Sequence, residues 1–265
     1  MIEAIGFLGL GALGLPIAEN LLASGASLTV WNRTPEKADG IVAKGARRAD
    51  TPAGAVPRGG VVFTILWDDA SLEEIVTDAF LDALGHGVHV SMTTVTPETS
   101  RKIAQRHAER GSAFVEAPIF GVPPQAVART LVVCLAGPAA AKERVKPLLE
   151  AMGAAKVFDL GDAIGAGTAT KLVGNYLIIS GFGLLTEAFE VLKASGIDPR
   201  PALDMVTSTI FATPSAQRYA GYLTSGSPPP RSGIPEKDIA LFQRFAASGS
   251  TPTPIAREIE AKLRR

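Results

Sequence analysis

The sequence predicts an α/β fold, with a doubly wound parallel sheet followed by an all-helical domain and a long helix joining the two. Three observations predict it. Residues 1 to about 160 alternate short apolar runs with amphipathic stretches. A glycine-rich turn stands directly after the first apolar run, and beyond residue 163 only helical patterning continues. The expected division is therefore residues 1–162 for the α/β domain and 163–265 for the helical one.

The strands are expected at Ala4–Leu8, Ser27–Asn32, Val61–Leu66, Val88–Met92, Ala113–Ala117 and Leu131–Ala136, with a short last one at Lys156–Asp159. Several are unbroken apolar runs, which suits strands covered by helices on both faces. Helical patterns lie between them. One begins at Thr96-Pro97-Glu98 (a capping residue, a proline at the first helical position, an acid in the first turn) and stops at Gly111. Alternation of this kind implies a parallel sheet. From Gly165 to Ser195 one long helix is expected, ended by Gly196-Ile197-Asp198-Pro199. Further helices follow at Pro201–Ser208, Pro214–Tyr222, Pro235–Ala247 and Thr253–Leu263, and Ser225–Ser232 reads as an exposed loop. Gly174, Gly181 and Gly183 cost the long helix about 1 kcal/mol each relative to alanine, so another helix is expected to approach closely there.

At 265 residues and 46% hydrophobic composition the chain can bury a sizeable core. Lys plus Arg equals Asp plus Glu at 26 each, which gives no electrostatic reason to expect nucleic acid or an anionic membrane as partner. The single cysteine, Cys134, lies in an apolar run and reads as a buried small hydrophobe in a reducing compartment. Met1–Ala18 is apolar but lacks a basic start and is broken by four glycines, so it does not read as a secretory leader. Tyr176–Leu185, the most apolar later stretch, falls short of the ~20 residues a bilayer span requires. A soluble, cytoplasmic protein is expected. His86, His89 and His107 show no metal-ligand spacing and read as surface or turn histidines, so no metal is expected.

Gly9-Leu10-Gly11-Ala12-Leu13-Gly14 has the spacing GxGxxG between a strand and a helix. The first glycine permits a tight turn, the second admits a pyrophosphate to the backbone, and the third lets helix and strand pack closely. The phosphates would meet the open N–H groups of the helix start. This is the fingerprint of a Rossmann-type dinucleotide site. An NAD site places an acid at the end of the second strand, against the ribose 2′-hydroxyl. This chain has Asn32-Arg33-Thr34 there, with Lys37 beyond. No carboxylate repels a 2′-phosphate and Arg33 can pair with one, so the expected cofactor is NADP.

A second informative segment is Gly165–Asn175. Lys171 and Asn175 are four apart and share one helix face, among small and apolar residues. On spacing alone, a lysine snorkelling to solvent and a lysine kept for chemistry stand level. The glycine turn in the form GLGALGLPIAENL, the Lys171/Asn175 helix and Lys237-Asp238 near the end together resemble the β-hydroxyacid dehydrogenase family, in the expected order along essentially the whole chain. That family includes 3-hydroxyisobutyrate dehydrogenase and tartronate semialdehyde reductase, on a nucleotide-binding domain of the 6-phosphogluconate dehydrogenase type. The resemblance implies hydride transfer between nicotinamide and a substrate carbon. Lys171 would be general acid in carbonyl reduction and base in alcohol oxidation, and Asn175 would hold the substrate oxygen. Thr94, in the Ser91–Pro97 loop, would lie by the nicotinamide ribose. Leu66 and Trp67 would contact the cofactor, and Lys237 would close over it. The resemblance also implies a homodimer through the helical domain.

One family motif departs. Where it reads Asp-x-Pro-Val-Ser-Gly-Gly, with serine and glycines cradling a substrate carboxylate, this chain has Glu116-Ala117-Pro118-Ile119-Phe120-Gly121-Val122. Phe120 and Gly121 are the substrate-side candidates, and a small-molecule substrate other than a standard small hydroxy acid is expected. Imine reductases resemble the same fold but usually lack the helix lysine, so carbonyl reduction stands first and imine reduction second. A third reading is a non-catalytic module that binds NADP and dimerises. Lys171, Asn175 and Lys237 argue against it. Phe211, Tyr219 and Tyr222 could line a pocket, with core packing the expected role for any one of them.

Overall fold

The computed structural model describes residues 3–225 and 232–264. Residues 226–231, inside the loop expected at Ser225–Ser232, lie outside the described residues. The chain divides into two compact units, Met1–Lys171 and Leu172–Arg265.

The first unit runs β1 (Ala4–Leu8), α1 (Gly14–Ala23), β2 (Ser27–Trp31), α2 (Asp39–Val42), β3 (Arg47–Arg48), β4 (Val61–Thr64), α3 (Asp69–Ile75), α4 (Asp78–Leu84) and β5 (Val88–Ser91). It continues with α5 (Pro97–Glu109), β6 (Ala113–Glu116), β7 (Ile119–Phe120), α6 (Pro123–Val127), β8 (Leu131–Leu135), α7 (Ala139–Ala151) and β9 (Ala154–Asp159). Six strands form a parallel sheet in the order β3-β2-β1-β4-β5-β6. The order reverses between β1 and β4, the switch point where open α/β sheets bind ligands. One core on one face joins Phe7, Val30, Phe63 and Val90 to Ile17 and Leu21 of α1. A second on the other face joins Val62 and Phe114 to Leu72, Phe80 and Ile103. Burial on both faces explains why these strands read as unbroken apolar runs.

The last expected strands do not extend that sheet. β7, β8 and β9 form a separate three-stranded sheet, with β7 antiparallel and β9 parallel to β8. A bridge between Glu116 and Ala136 ties the end of its central strand, β8, to β6. The buried Lys142 of α7 steadies β9 from the side, with Nζ 2.5 Å from Asp159 and 3.0 Å from Asp162.

The histidine expectation fails for two of the three. His89 and His107 are fully buried. His89 Nδ1 lies 2.9 Å from His107 Nε2, Thr64 Oγ1 lies 2.8 Å from His89 Nε2, and Ser112 Oγ lies 2.8 Å from His107 Nδ1. Phe80 and Phe114 pack around the pair, with Phe114 stacked on His107 and edge-on to His89. The chain of partners satisfies two neutral imidazoles, which is why the core accepts them. Burial pushes both below the ordinary histidine value, His107 to about 3.

The helix α8 spans Ala166–Ala194 and is long and apolar enough, by length and composition alone, to cross a membrane. The helix as a whole thus passes a length test that the stretch Tyr176–Leu185, taken alone, does not. The second unit adds α9 (Pro199–Ser208), α10 (Pro214–Ser225), α11 (Ile234–Ser248) and α12 (Pro254–Leu263) to the later part of α8. Gly183 is where α12 comes close, since a Cβ there would stand 2.7 Å from Ile259 Cδ1. Tyr219 stacks on Phe182 with ring centres 4.3 Å apart and meets Thr186 Oγ1 at 3.0 Å. Tyr219 and Phe211 pack around a cluster of Leu185, Leu203 and Ala216. Leu177, Leu184 and Val191, seven residues apart in turn, are left exposed on one face of α8.

Candidate active site

The three glycines of the turn differ in what surrounds them. Gly9 has φ +105°, and a Cβ on it would strike Ile65 O at 2.2 Å. A Cβ on Gly14 would strike Gly9 O at 2.1 Å. At Gly11 nothing lies within 4 Å. The first and third glycines are thus demanded by packing, whereas the middle one opens outward, as a group approaching the backbone needs. The first helical bond of α1 runs from Leu15 N to Gly11 O at 3.0 Å. The amides of Gly11, Ala12 and Leu13 precede it and face the helix N-terminus. These residues fit a nucleotide pyrophosphate.

Asn32 does more than border the nucleotide. Its Oδ1 accepts from Leu10 N at 2.8 Å, and its Nδ2 donates to Thr34 O at 2.8 Å. Arg33, Thr34 and Lys37 are exposed beside it. A cavity of about 130 Å³ at this strand end is lined by Trp31, Asn32, Pro35, Arg48, Ala49 and Asp50. The two-residue β3, which sequence reasoning missed, brings Arg48 there, paired to Asp39 at 2.9 Å. Leu66, at the end of the next strand, donates its N–H to Thr93 Oγ1 at 2.9 Å. Leu66 is half-buried, Trp67 is 49% exposed and Thr94 is half-buried. All of these lie at the carboxyl ends of the strands.

Glu116 opens the segment where the family motif departs and was not among the residues expected at the site. Its buried carboxylate accepts from Gly165 N at 2.8 Å, Gly167 N at 3.1 Å and Thr168 Oγ1 at 2.7 Å. A carboxylate at a helix start also opposes the positive end of the helix dipole. A Cβ on Gly167 would stand 2.9 Å from Glu116 Cβ and 3.1 Å from Cys134 O, so the glycine lets α8 begin tight against β6 and β8. Lys171 follows on the second turn, only 8% exposed, with Nζ 4.0 Å from the centre of the Phe120 ring. Phe120 is held by β7, paired with Val132 of β8. Burial pushes the Cys134 thiol up, against the opposing influence of the Lys171 ammonium, as suits an inert core cysteine.

In the helical unit, Asn175 Nδ2 donates to Asp238 Oδ2 at 2.5 Å, and Lys237 Nζ lies 2.9 Å from Asp238 Oδ1. Asp238 is buried and organises both sequence-predicted residues of that unit. Only its place beside Lys237 pointed to it in the sequence. A larger cavity, about 560 Å³, also belongs to this unit and is lined by residues such as Ile179, Phe182, Tyr219, Tyr222 and Ile259.

Residues 4–161 match the NAD-binding domain of 6-phosphogluconate dehydrogenase. The chain belongs to the β-hydroxyacid dehydrogenase family. Oxidoreductases are among its members, and the first unit is its pyridine-nucleotide-binding domain. An uncharacterized oxidoreductase of Bacillus subtilis, YfjR, is 35% identical over 94% of this chain and 89% of its own length. Glyoxylate/succinic semialdehyde reductase 2 of Arabidopsis thaliana is 31% identical over 96% of this chain and 72% of its own. Among solved structures, 3-hydroxyisobutyrate dehydrogenase of Mycobacterium tuberculosis shares the fold with a TM-score of 0.89, over 98% of this chain and 92% of its own, at 24% identity. An imine reductase of Streptomyces aurantiacus shares it with a TM-score of 0.71, over 99% and 94%, at 23% identity. The β-hydroxyacid dehydrogenase scaffold thus carries more than one chemistry, and the side chains at the site must decide between them.

Proposed function

We propose that this protein is an NADP(H)-dependent oxidoreductase that interconverts a carbonyl and an alcohol, with Lys171 as general acid in reduction and base in oxidation. The observation that carries this reading is Lys171 itself, a buried amine on the second turn of α8 with an aromatic ring against it. An ammonium in such a place offsets charge developing on a carbonyl oxygen and delivers a proton to it. The bound nicotinamide supplies or takes the hydride.

The chain's own residues then divide the work. The turn Gly9–Gly14 holds the pyrophosphate, and Arg33, aided by Lys37, meets the 2′-phosphate. Leu66, Trp67 and Thr94 border the nicotinamide end, and the family reading gives Lys237 to the nucleotide and Asn175 to the substrate oxygen. The relative named as a glyoxylate/succinic semialdehyde reductase supports an aldehyde as substrate. Phe120, in place of the family serine, favours a substrate other than a standard small hydroxy acid and is also the observation in favour of an imine as second reading. A second copy of the chain covering the exposed face of α8 at Leu177, Leu184 and Val191 completes the proposal as a homodimer.

The test is NADPH consumption by wild type and Lys171→Ala over aldehydes, β-semialdehydes, ketones and cyclic imines. Turnover of carbonyls that the substitution removes is expected. Turnover of imines alone would favour the second reading, and NADPH binding without any turnover would leave a non-catalytic module.

A further inference from the structure

We propose that Phe120 determines specificity at the Lys171 site, selecting carbonyl compounds with an uncharged apolar group beside the reacting carbon and turning away those with a carboxylate there. The proposal rests on the reading of Lys171 as proton donor.

The geometry around the ring is firmly set from two sides. On one side, Ile119 pairs with Val133 and is buried, so alternation along β7 turns Phe120 the other way, toward Lys171. On the other, the Glu116 carboxylate fixes the first turn of α8 and hence the height at which Lys171 leaves the helix. The ring face presents the negative part of its quadrupole to the ammonium at 4.0 Å.

A substrate carboxylate next to the reacting carbon needs donors, and several of those in and around this segment are committed within the protein. Val122 N donates to Gln125 Oε1 at 3.1 Å, while Gln125 N and Ala126 N both turn back to Val122 O at 2.8 and 3.2 Å. Cys134 N is given to Pro118 O at 3.0 Å. Phe120 itself offers no hydroxyl, and its negative face repels an anion laid on it. An apolar substituent instead gains by covering the ring, and leaves the ammonium to the carbonyl oxygen.

The experiment compares kcat/KM for phenylacetaldehyde and glyoxylate, with NADPH, in wild type, Phe120→Ser, Phe120→Leu, Phe120→Tyr and Lys171→Ala. Wild type should prefer phenylacetaldehyde by about a hundredfold. Phe120→Ser should erode that preference by about ten- to a hundredfold, chiefly through a lower KM for glyoxylate, as expected for one regained hydrogen bond to a charged group. Phe120→Leu should still reject glyoxylate but lose about threefold or more in kcat with the lost ring–ammonium contact, and Phe120→Tyr should restore it. Equal use of both aldehydes by wild type overturns the proposal, however the variants fold. So does a preference that Phe120→Ser leaves unchanged. If Lys171→Ala matches wild type while the preference still tracks residue 120, the proton-donor reading fails and the selectivity survives. No NADPH consumption by wild type with either aldehyde overturns the proposal, and the wider screen of ketones and β-semialdehydes then decides the proton-donor reading by itself.

Discussion

Asn32 Oδ1 accepts the Leu10 N–H at 2.8 Å, which ties the end of β2 to the glycine turn. The Leu10 donor is thereby committed, and the turn is tied to β2 by a side chain of the protein itself. Replacing Asn32 by Leu strands that donor. It should cost about 1–3 kcal/mol in urea unfolding and weaken NADPH binding. Asn32→Asp keeps the acceptor and adds a charge. NADPH affinity should fall, as measured by fluorescence titration, and stability should fall less than in Asn32→Leu, because the Leu10 N–H keeps its acceptor while the bond to Thr34 O is lost. Equal NADPH affinity in all three proteins would remove Asn32 from the nucleotide site.

Arg33 is exposed beside that asparagine and is the residue assigned to the 2′-phosphate. One charge-assisted contact predicts that wild type prefers NADP over NAD by about ten- to a hundredfold. Arg33→Ala should bring the two affinities together, mainly by weakening NADP. Titration with both nucleotides checks this, and a preference that survives the substitution would point instead to Arg48, at the neighbouring strand end.

A positioned acid contributes about 10²–10⁴ in rate. Lys171→Ala should lower kcat by that order with NADPH affinity nearly unchanged. Lys171→Arg should recover little, because a guanidinium keeps its proton at neutral pH. Turnover equal to wild type in either variant would dismiss the lysine.

The buried histidine pair predicts acid sensitivity. Both imidazoles are held neutral, so the unfolded chain binds more protons below the ordinary histidine value and stability falls as pH falls. With His107 lowered from 6.5 to about 3, that residue alone should remove roughly 2 kcal/mol by pH 5, and His89 acts in the same direction. Urea midpoints from pH 8 to 5 should decline accordingly. A flat profile would contradict the burial of the pair.

The exposed leucines of α8 predict self-association. Wild type should sediment as a dimer at micromolar concentration, and Leu184→Asp should shift it toward monomer without unfolding it. A monomeric wild type would leave that face without the proposed partner.

Much of the fold was legible because its signals are local. Unbroken apolar runs marked the strands, caps and prolines marked the helix starts, and glycine spacing marked the nucleotide turn. Expected and observed limits of α5 and α8 agree within two residues. What escaped depends on distant partners. β3 is two arginines with no apolar pattern, and only pairing with β2 makes it a strand. β7 exists because Ile119 and Phe120 find β8 beyond α6, and that antiparallel pairing adds a strand to the second sheet. Nothing in the spacing of His89 and His107 announces that helix and sheet bring them together in the core. Lys171 and Phe120 were each singled out, one by resemblance and one by departure from it, yet their contact follows from the sheet and the helix start.

The grip of Glu116 on the opening of α8 separates two tasks that many sites entangle. The amine is placed from beneath, by the carboxylate and the helix, while position 120 only lines its flank. Substitution at 120 can therefore change the flank of the Lys171 amine without moving the helix that carries it, which gives a lineage room to vary that flank on an unchanged frame.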